Sequence, residues 1–140
     1  MGHDRAGAQL ANEGFYRALE GLDLGAMDAL WLHGPWVRCV HPGWEAITGW
    51  DNVRRSWEQI FRNTPWIRVT PSGVEVVAFE DVAIVSCSED ITTTQGGDVG
   101  LGVTQATNVF VRTPEGWRMA VHHASPVPVR ITQAFTGTVQ

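Results

Sequence analysis

Lysine is absent from this chain; all ten of its basic side chains are arginine. Acidic residues outnumber them for a formal net charge of −5, and no stretch gathers the arginines into a stripe. That excludes the clustered positive charge with which proteins neutralise nucleic-acid phosphates. Cysteine is nearly absent too. Cys39 and Cys87 are too few for a disulfide framework, and each lies in an apolar, strand-like run where a free thiol acts as a small hydrophobe. No apolar run approaches the ~18 residues that a membrane-spanning helix needs. The first residues, Met1-Gly2-His3-Asp4-Arg5, carry no apolar signal region, and Ala6 stands where a myristoylation motif wants Ser or Thr. A reducing, cytoplasmic setting with no membrane partner is expected. There is no internal repeat and no low-complexity linker. The 140 residues therefore read as one domain over residues 1–127 and a polar tail, without periodicity, over 128–140.

Tryptophan, by contrast, is abundant at seven residues. Each carries a large apolar surface and one polar handle, so the set fills a core or lines a pocket for aromatic or polycyclic ligands. Ala11, Phe15, Ala18, Leu19 and Leu22 recur at helical spacing and predict an amphipathic helix over about residues 6–22. Asp23 is placed to cap a second helix carrying Ala26, Met27, Leu30 and Trp31 on one face. A short strand follows over 36–41. Gly49-Trp50-Asp51 opens a third helix, continued by Val53, Trp57, Ile60 and Phe61 and stopped at Asn63-Thr64-Pro65.

From there the period changes to two. Strands are predicted at about 66–79, 82–94, 99–112 and 117–127, with Pro71 and Gly73 breaking the first of them. Helices gathered on one side of a long antiparallel sheet is an α+β layout. A sheet of this length must curl, which leaves a cone with a central pocket. If Pro114-Glu115 is the tip of the last hairpin, Phe110 faces Met119, Asn108 faces Val121 and Ala106 faces His123. Phe110, Asn108, Trp117, Met119, Val121 and His123 then share the concave face. Thr107, Val109, Val111, Arg118, Ala120 and His122 share the outer one. A slip of one residue exchanges the two histidines.

Several segments together resemble the nuclear transport factor 2-like superfamily, whose cone is shared by ketosteroid isomerases and SnoaL-like polyketide cyclases. They are Phe15-Tyr16-Arg17-Ala18-Leu19, Asp23-Leu24-Gly25-Ala26-Met27, Val40-His41-Pro42, Gly49-Trp50, Ala106-Thr107-Asn108-Val109-Phe110, Gly116-Trp117-Arg118-Met119 and His122-His123-Ala124-Ser125. The resemblance covers about residues 8–127. It implies the cone fold and a homodimer joined through the outer sheet face, with Thr107, Arg118 and His122 at its polar margin. It does not imply steroid isomerase activity. Those enzymes use an Asp base with an oxyanion hole of Tyr and a protonated Asp. The matching positions here hold His41, Phe15 (one residue from Tyr16) and Asn108.

What stands there still supports chemistry. A histidine with an ordinary pKa near 6.5 can take a proton near neutral pH, so His41 is the candidate general base. The Asn108 amide can donate to a developing enolate oxygen, His123 can serve as acid partner, and Tyr16 can supply a hydroxyl. Phe15, Trp31, Trp44, Trp57, Phe110, Met119 and Val121 are the candidate lining for a hydrophobic ligand. The expected function is cofactor-independent isomerisation, cyclisation or dehydration of a small molecule. Two alternatives stand beside it. One is a non-catalytic module for ligand binding or dimerisation. The other is a metal site on His41 and His123 with Glu45 or Glu58, which no HxxxH or CxxC spacing supports.

Overall fold

The computed structural model of the chain describes residues 4–128. Its first helix, α1 (Arg5–Glu20), begins where the Asp4 side chain accepts from the Gly7 amide at 2.8 Å. A carboxylate there satisfies an otherwise unpaired amide at the positive end of the helix dipole. The buried face of α1 carries Phe15, Ala18 and Leu19, and with them two polar groups, Asn12 and Tyr16. Helix α2 (Leu24–Leu30) starts at the expected cap, with the Asp23 side chain accepting from the Ala26 amide. Two short strands, β1 (Arg38–Val40) and β2 (Ile47–Thr48), precede α3 (Trp50–Asn63). Four long strands complete the fold: β3 (Trp66–Ala78), β4 (Val82–Gln95), β5 (Asp98–Thr113) and β6 (Gly116–Pro126).

The strands form one sheet in the order β2-β1-β6-β5-β4-β3. Three helices pack on this curved, unclosed sheet, which is the expected α+β cone. β3 to β6 pair antiparallel, whereas β1 runs parallel to β6 and sets Cys39 against His122 and Val40 against His123. The long excursion between β1 and β6 makes a parallel pair possible. β2 was not anticipated, because two residues are too few to show a period. The break expected in β3 is a register shift between Ser72 and Glu75, with Gly73 at φ +59°. The predicted tail lies, from residue 129 onward, outside the described residues.

A second irregularity, between β5 and β6, reshapes the interior. Phe110 faces Met119 as parity predicts, but the register then shifts at Val109. Ala120 is the extra residue: it and Met119 are both buried, although they are neighbours along a strand. Beyond this bulge Val109 faces Val121, Asn108 faces His122 and Thr107 faces His123. A bulge reverses the alternation of side chains past it. Val121 and His123, expected inside, therefore lie on the outer face, while His122 and Ala120, expected outside, are buried.

The core fills the cone, with Phe15, Val37, Val53, Val85, Phe110 and Met119 wholly shielded from solvent. Phe110→Ala is expected to cost about 3–5 kcal/mol, read from urea midpoints, because so enclosed a ring leaves a cavity that cannot collapse. A loss below about 1 kcal/mol would show that the ring does not pack as described.

Candidate functional site

β1 delivers His41 to the interior. The segment His41-Pro42-Gly43-Trp44 closes a tight turn in which the Trp44 amide donates to the His41 carbonyl at 2.8 Å. Proline second and glycine third, here with φ +83°, are the residues a type II turn requires. The turn brings Trp44 edge-on to His41 with ring centroids 4.8 Å apart, and Trp57 of α3 meets the same imidazole edge-on at 4.6 Å. Trp44 is 42% exposed and forms the outer wall, whereas His41 and Trp57 are buried. The Trp57 indole N–H has no acceptor among the described residues. Most buried donors are paired, so this one and the Trp31 indole N–H, also without an acceptor among the described residues, are conspicuous.

Hydrogen bonding fixes where the protons sit. The Ser56 hydroxyl gives its one proton to the Val53 carbonyl at 2.6 Å, and its oxygen lies 2.8 Å from His41 Nε2. His41 is therefore the donor of that second bond, and Nδ1 keeps the lone pair. Cys39 Sγ lies 3.8 Å from Nδ1. Burial, reinforced by nearby His122, pulls the His41 pKa down to about 3, so the ring is neutral at pH 7.

A chain of polar groups runs deeper into the cone. His122 Nδ1 lies 2.6 Å from Asn108 Oδ1, an acceptor, so Nδ1 carries the proton and Nε2 the lone pair. Asn108 Nδ2 donates to Asn12 Oδ1 at 2.8 Å and to the Tyr16 hydroxyl oxygen at 3.1 Å. Tyr16 donates to Glu89 Oε2 at 2.5 Å, and Thr104 donates to Glu89 Oε1. From His122 through Asn108 and Tyr16 the donors point toward Glu89, with a side branch from Asn108 to Asn12. Burial lowers the His122 pKa to about 3, with His123 adding to the effect. Burial also raises Glu89 above the usual carboxylate range, although its bonds from Thr104 and Tyr16 oppose the shift. Tyr16 is raised by burial and by Glu89, so it remains a phenol.

The structure thus brings His41, Asn108, Tyr16, Phe15 and Trp57 together. The Phe15 ring lies 4.7 Å from His122 and 5.8 Å from Trp57. Phe110 and Met119 are inward on their strands, while the Trp31 ring lies tilted against Trp50 at 5.8 Å and its backbone bridges to Met119. His123 and Val121 are not part of the site; the bulge gives the inner position to His122. With His123 outside, the metal set of His41, His123 and Glu45 or Glu58 does not converge. No group of three or more His, Cys, Asp or Glu able to hold a metal occurs among the described residues.

Sequence reasoning missed Asn12, Ser56, Glu89 and Thr104. A signal existed for two of them: Glu89 shares the inward parity of Val85 and Cys87, and Asn12 lies one helical turn before Tyr16. Cys87, expected to be an inert hydrophobe, is a buried free thiol 3.2 Å from the Tyr16 hydroxyl. No helix is long and apolar enough to cross a membrane among the described residues.

A family model for the SnoaL-like domain matches residues 9–130. Among solved structures, a candidate dehydratase of the nuclear transport factor 2-like family from Streptomyces avermitilis is 37% identical, with TM-score 0.82 over 87% of this chain and 95% of its own. A candidate calcium/calmodulin-dependent protein kinase type II association domain from Thiobacillus denitrificans is 31% identical, with TM-score 0.76 over 85% and 94%. F-box protein SKIP8 of Arabidopsis thaliana is 28% identical over 114 residues; the match takes in 81% of this chain but spans only 47% of that protein.

The buried titratable groups set a pH dependence. His41 and His122 have pKa values below 6.5 in the fold, so the unfolded chain binds more protons between about pH 6.5 and 3. Their stabilisation is complete above that window and is lost as pH falls through it, by up to about 1.4 kcal/mol per pH unit for each histidine. Glu89, raised in the fold, works in the opposite sense: its share is present in acid and lost as pH rises through the carboxylate range. Two histidines outweigh one carboxyl, so urea midpoints are expected to fall from pH 7 to pH 5. Glu89→Gln should steepen that fall and His41→Gln should flatten it; equal slopes in all three proteins would contradict the assignment.

Proposed function

The chain belongs to the SnoaL-like domain family, and from that premise we propose that it is a cofactor-independent acid–base enzyme acting on a small, planar, hydrophobic carbonyl compound. The observation that carries this reading is the combination in one apolar interior of two neutral imidazoles, His41 and His122, with Trp57, whose ring neighbours both and whose indole N–H is unpaired. A ligand completing that set must offer an acceptor to Trp57 and an acidic proton to a histidine. A carbonyl oxygen and the C–H bond beside it do both. The name of the 37% identical relative, a candidate dehydratase, supports elimination as one outcome.

In the proposed step, His41 takes the proton from the α-carbon through Nδ1 while Trp57 donates to the oxygen on which charge develops. A base with so low a pKa is weak in the empty site. Its proton affinity rises when an oxyanion forms nearby, because opposite charge favours the imidazolium. The proton then has two destinations. Returned to the γ-carbon of an enolate in conjugation, it completes an isomerisation. Returned to a β-hydroxyl as the C–O bond breaks, it leaves with that oxygen as water, which is a dehydration. An enolate that instead attacks a second carbonyl closes a ring. Trp44, partly exposed and edge-on to His41, is the side of this set next to solvent.

Exchange of α-protons of β-tetralone for deuterium in D₂O, followed by NMR, tests the first step without knowledge of the natural substrate. The chain is expected to accelerate exchange, and His41→Gln to remove about 100-fold or more of that acceleration. An unchanged rate in His41→Gln would refute the assignment. Thermal stabilisation by β-tetralone without exchange would favour the non-catalytic binding module.

A second observation concerns assembly. The ladder registers place Val77 against Ile84, Ile84 against Val109 and Val109 against Val121, one apolar row across four strands of the outer face. Val77 is 52% and Ile84 38% exposed. We propose that a second copy of the chain covers this row, with Thr107, Arg118 and His123, rather than His122, at its margin; one patch meeting itself is what a two-fold dimer requires. Sedimentation at micromolar concentration should give a dimer, and Ile84→Glu a folded monomer. A monomeric parent chain would rule the dimer out.

A further inference from the structure

A groove of about 500 Å³ runs between α1 and α2 and meets the start of β6, away from the interior described above. Its walls are small or aliphatic: Ala11, Gly14 and Ala18 from α1, and Ala26, Ala29 and Leu30 from α2. Alanine and glycine on both helices leave too little side chain to fill the space between them. Leu10 lines the same groove and is 63% exposed. Apolar surface gathered in a concavity is covered favourably by an apolar group from outside.

The charged groups at the groove are Arg17, Arg118 and Asp23. The chain as a whole carries −5, so two cations against one anion is a local reversal of charge. Asp23 is already committed, since its Oδ1 accepts from the Ala26 amide at 3.0 Å and caps α2. The arginines are not. Arg54, Arg62 and Arg112 each pair with a carboxylate, whereas Arg17 and Arg118 pair with none among the described residues. Glu13, four residues before Arg17, is the partner that helical spacing offers it. The Arg17 guanidinium instead folds back over Gly14, with Nη2 3.7 Å from where a Cβ on that glycine would lie. Gly14 is a groove residue, so the bare position holds the cation at the groove. Arg118 gives an N–H of Nη1 to the Trp117 carbonyl at 3.1 Å, which fixes one arm of its fork and leaves the other for a ligand.

We propose that this groove binds an aliphatic carboxylate, its chain laid along the alanine-lined walls and its head group on the arginines. A guanidinium fork matches a carboxylate in shape as well as charge. From Leu10 to Ala18, α1 rises about 12 Å, the span of an extended chain of about ten carbons. A volume of about 500 Å³ lies within the range of small-molecule sites. A neutral chain would leave both cations unpaired, and a cationic head would be repelled by them. The assignment is independent of the chemistry in the interior.

Decanoate tests it, titrated into the full-length chain below its micelle concentration and followed through amide NMR shifts. Saturable shifts are expected at the Ala18, Leu30 and Arg118 amides. The double variant Arg17→Gln, Arg118→Gln is expected to bind decanoate at least about tenfold more weakly, and decanol is expected to bind the parent chain with a similar loss. Unchanged Val85 and Phe110 amide positions report that the variant remains folded. Four results would overturn the proposal. Decanoate could leave the groove amides unmoved. It could shift only amides around His41 and Trp57, which would assign it to the interior. Decanol could match decanoate, or the variant could match the parent chain, which would leave an apolar surface without a carboxylate site. The groove amides could shift with protein concentration alone, which would assign the groove to a second copy.

Discussion

Asn108 has no contact with water, so its amide must find every partner inside the protein. It succeeds with three groups from two other elements: Asn12 and Tyr16 of α1 and His122 of β6. An unmet donor or acceptor at such a site costs about 1–3 kcal/mol. The amide therefore holds α1 and β6 at fixed positions against β5. The phenol of Tyr16 and the carboxyl of Glu89 extend the same requirement into β4. The helix-to-sheet packing that makes the cone is thus specified by polar bonds as well as by apolar filling. Because both Asn108 amide protons are committed to α1, its carbonyl oxygen faces His122 as an acceptor, and the tautomer of His122 is specified with it.

The bulge at Val109 is the backbone counterpart of that constraint. Without it, Asn108 would face a valine and its carbonyl oxygen would lack the imidazole donor. With it, one residue of slack moves His122 inward and His123 outward, so one histidine joins the interior and the other joins the sheet face. Two adjacent residues of the same type thereby acquire different surroundings. His122 is a neutral ring beside Phe15, while His123 is exposed.

His41 reaches the same interior by a different route. The Pro42-Gly43 turn aims its ring between Trp44 and Trp57, and Ser56, one residue from Trp57 on α3, holds the proton on Nε2. The hydroxyl that does this is itself tied to the Val53 carbonyl. A helix that supplies both the aromatic wall and the tautomer-setting group couples the position of α3 to the basicity of His41. A SnoaL-like cone can keep this frame while its inner residues change, which is why fold membership alone does not specify a reaction.

Much was legible in the sequence. The periods of 3.6 and two set three helices and four long strands within a few residues, because amphipathic spacing follows from which face must leave water. The Asp23 cap, the Gly49 helix start and the break near Gly73 were readable as local chemistry. His41, Asn108 and Tyr16 were readable as candidates from residue type and from parity up to the bulge. Tertiary structure alone decided which of His122 and His123 faces inward, because a bulge leaves no mark in a pattern of alternating residues. It alone showed that β1 lies parallel to β6, since strands far apart in sequence choose partners by overall packing. The Ser56 and Glu89 contacts belong to the same class. Each joins residues that are distant in sequence or on different elements, and periodicity along a single strand or helix carries no information about what lies across the core.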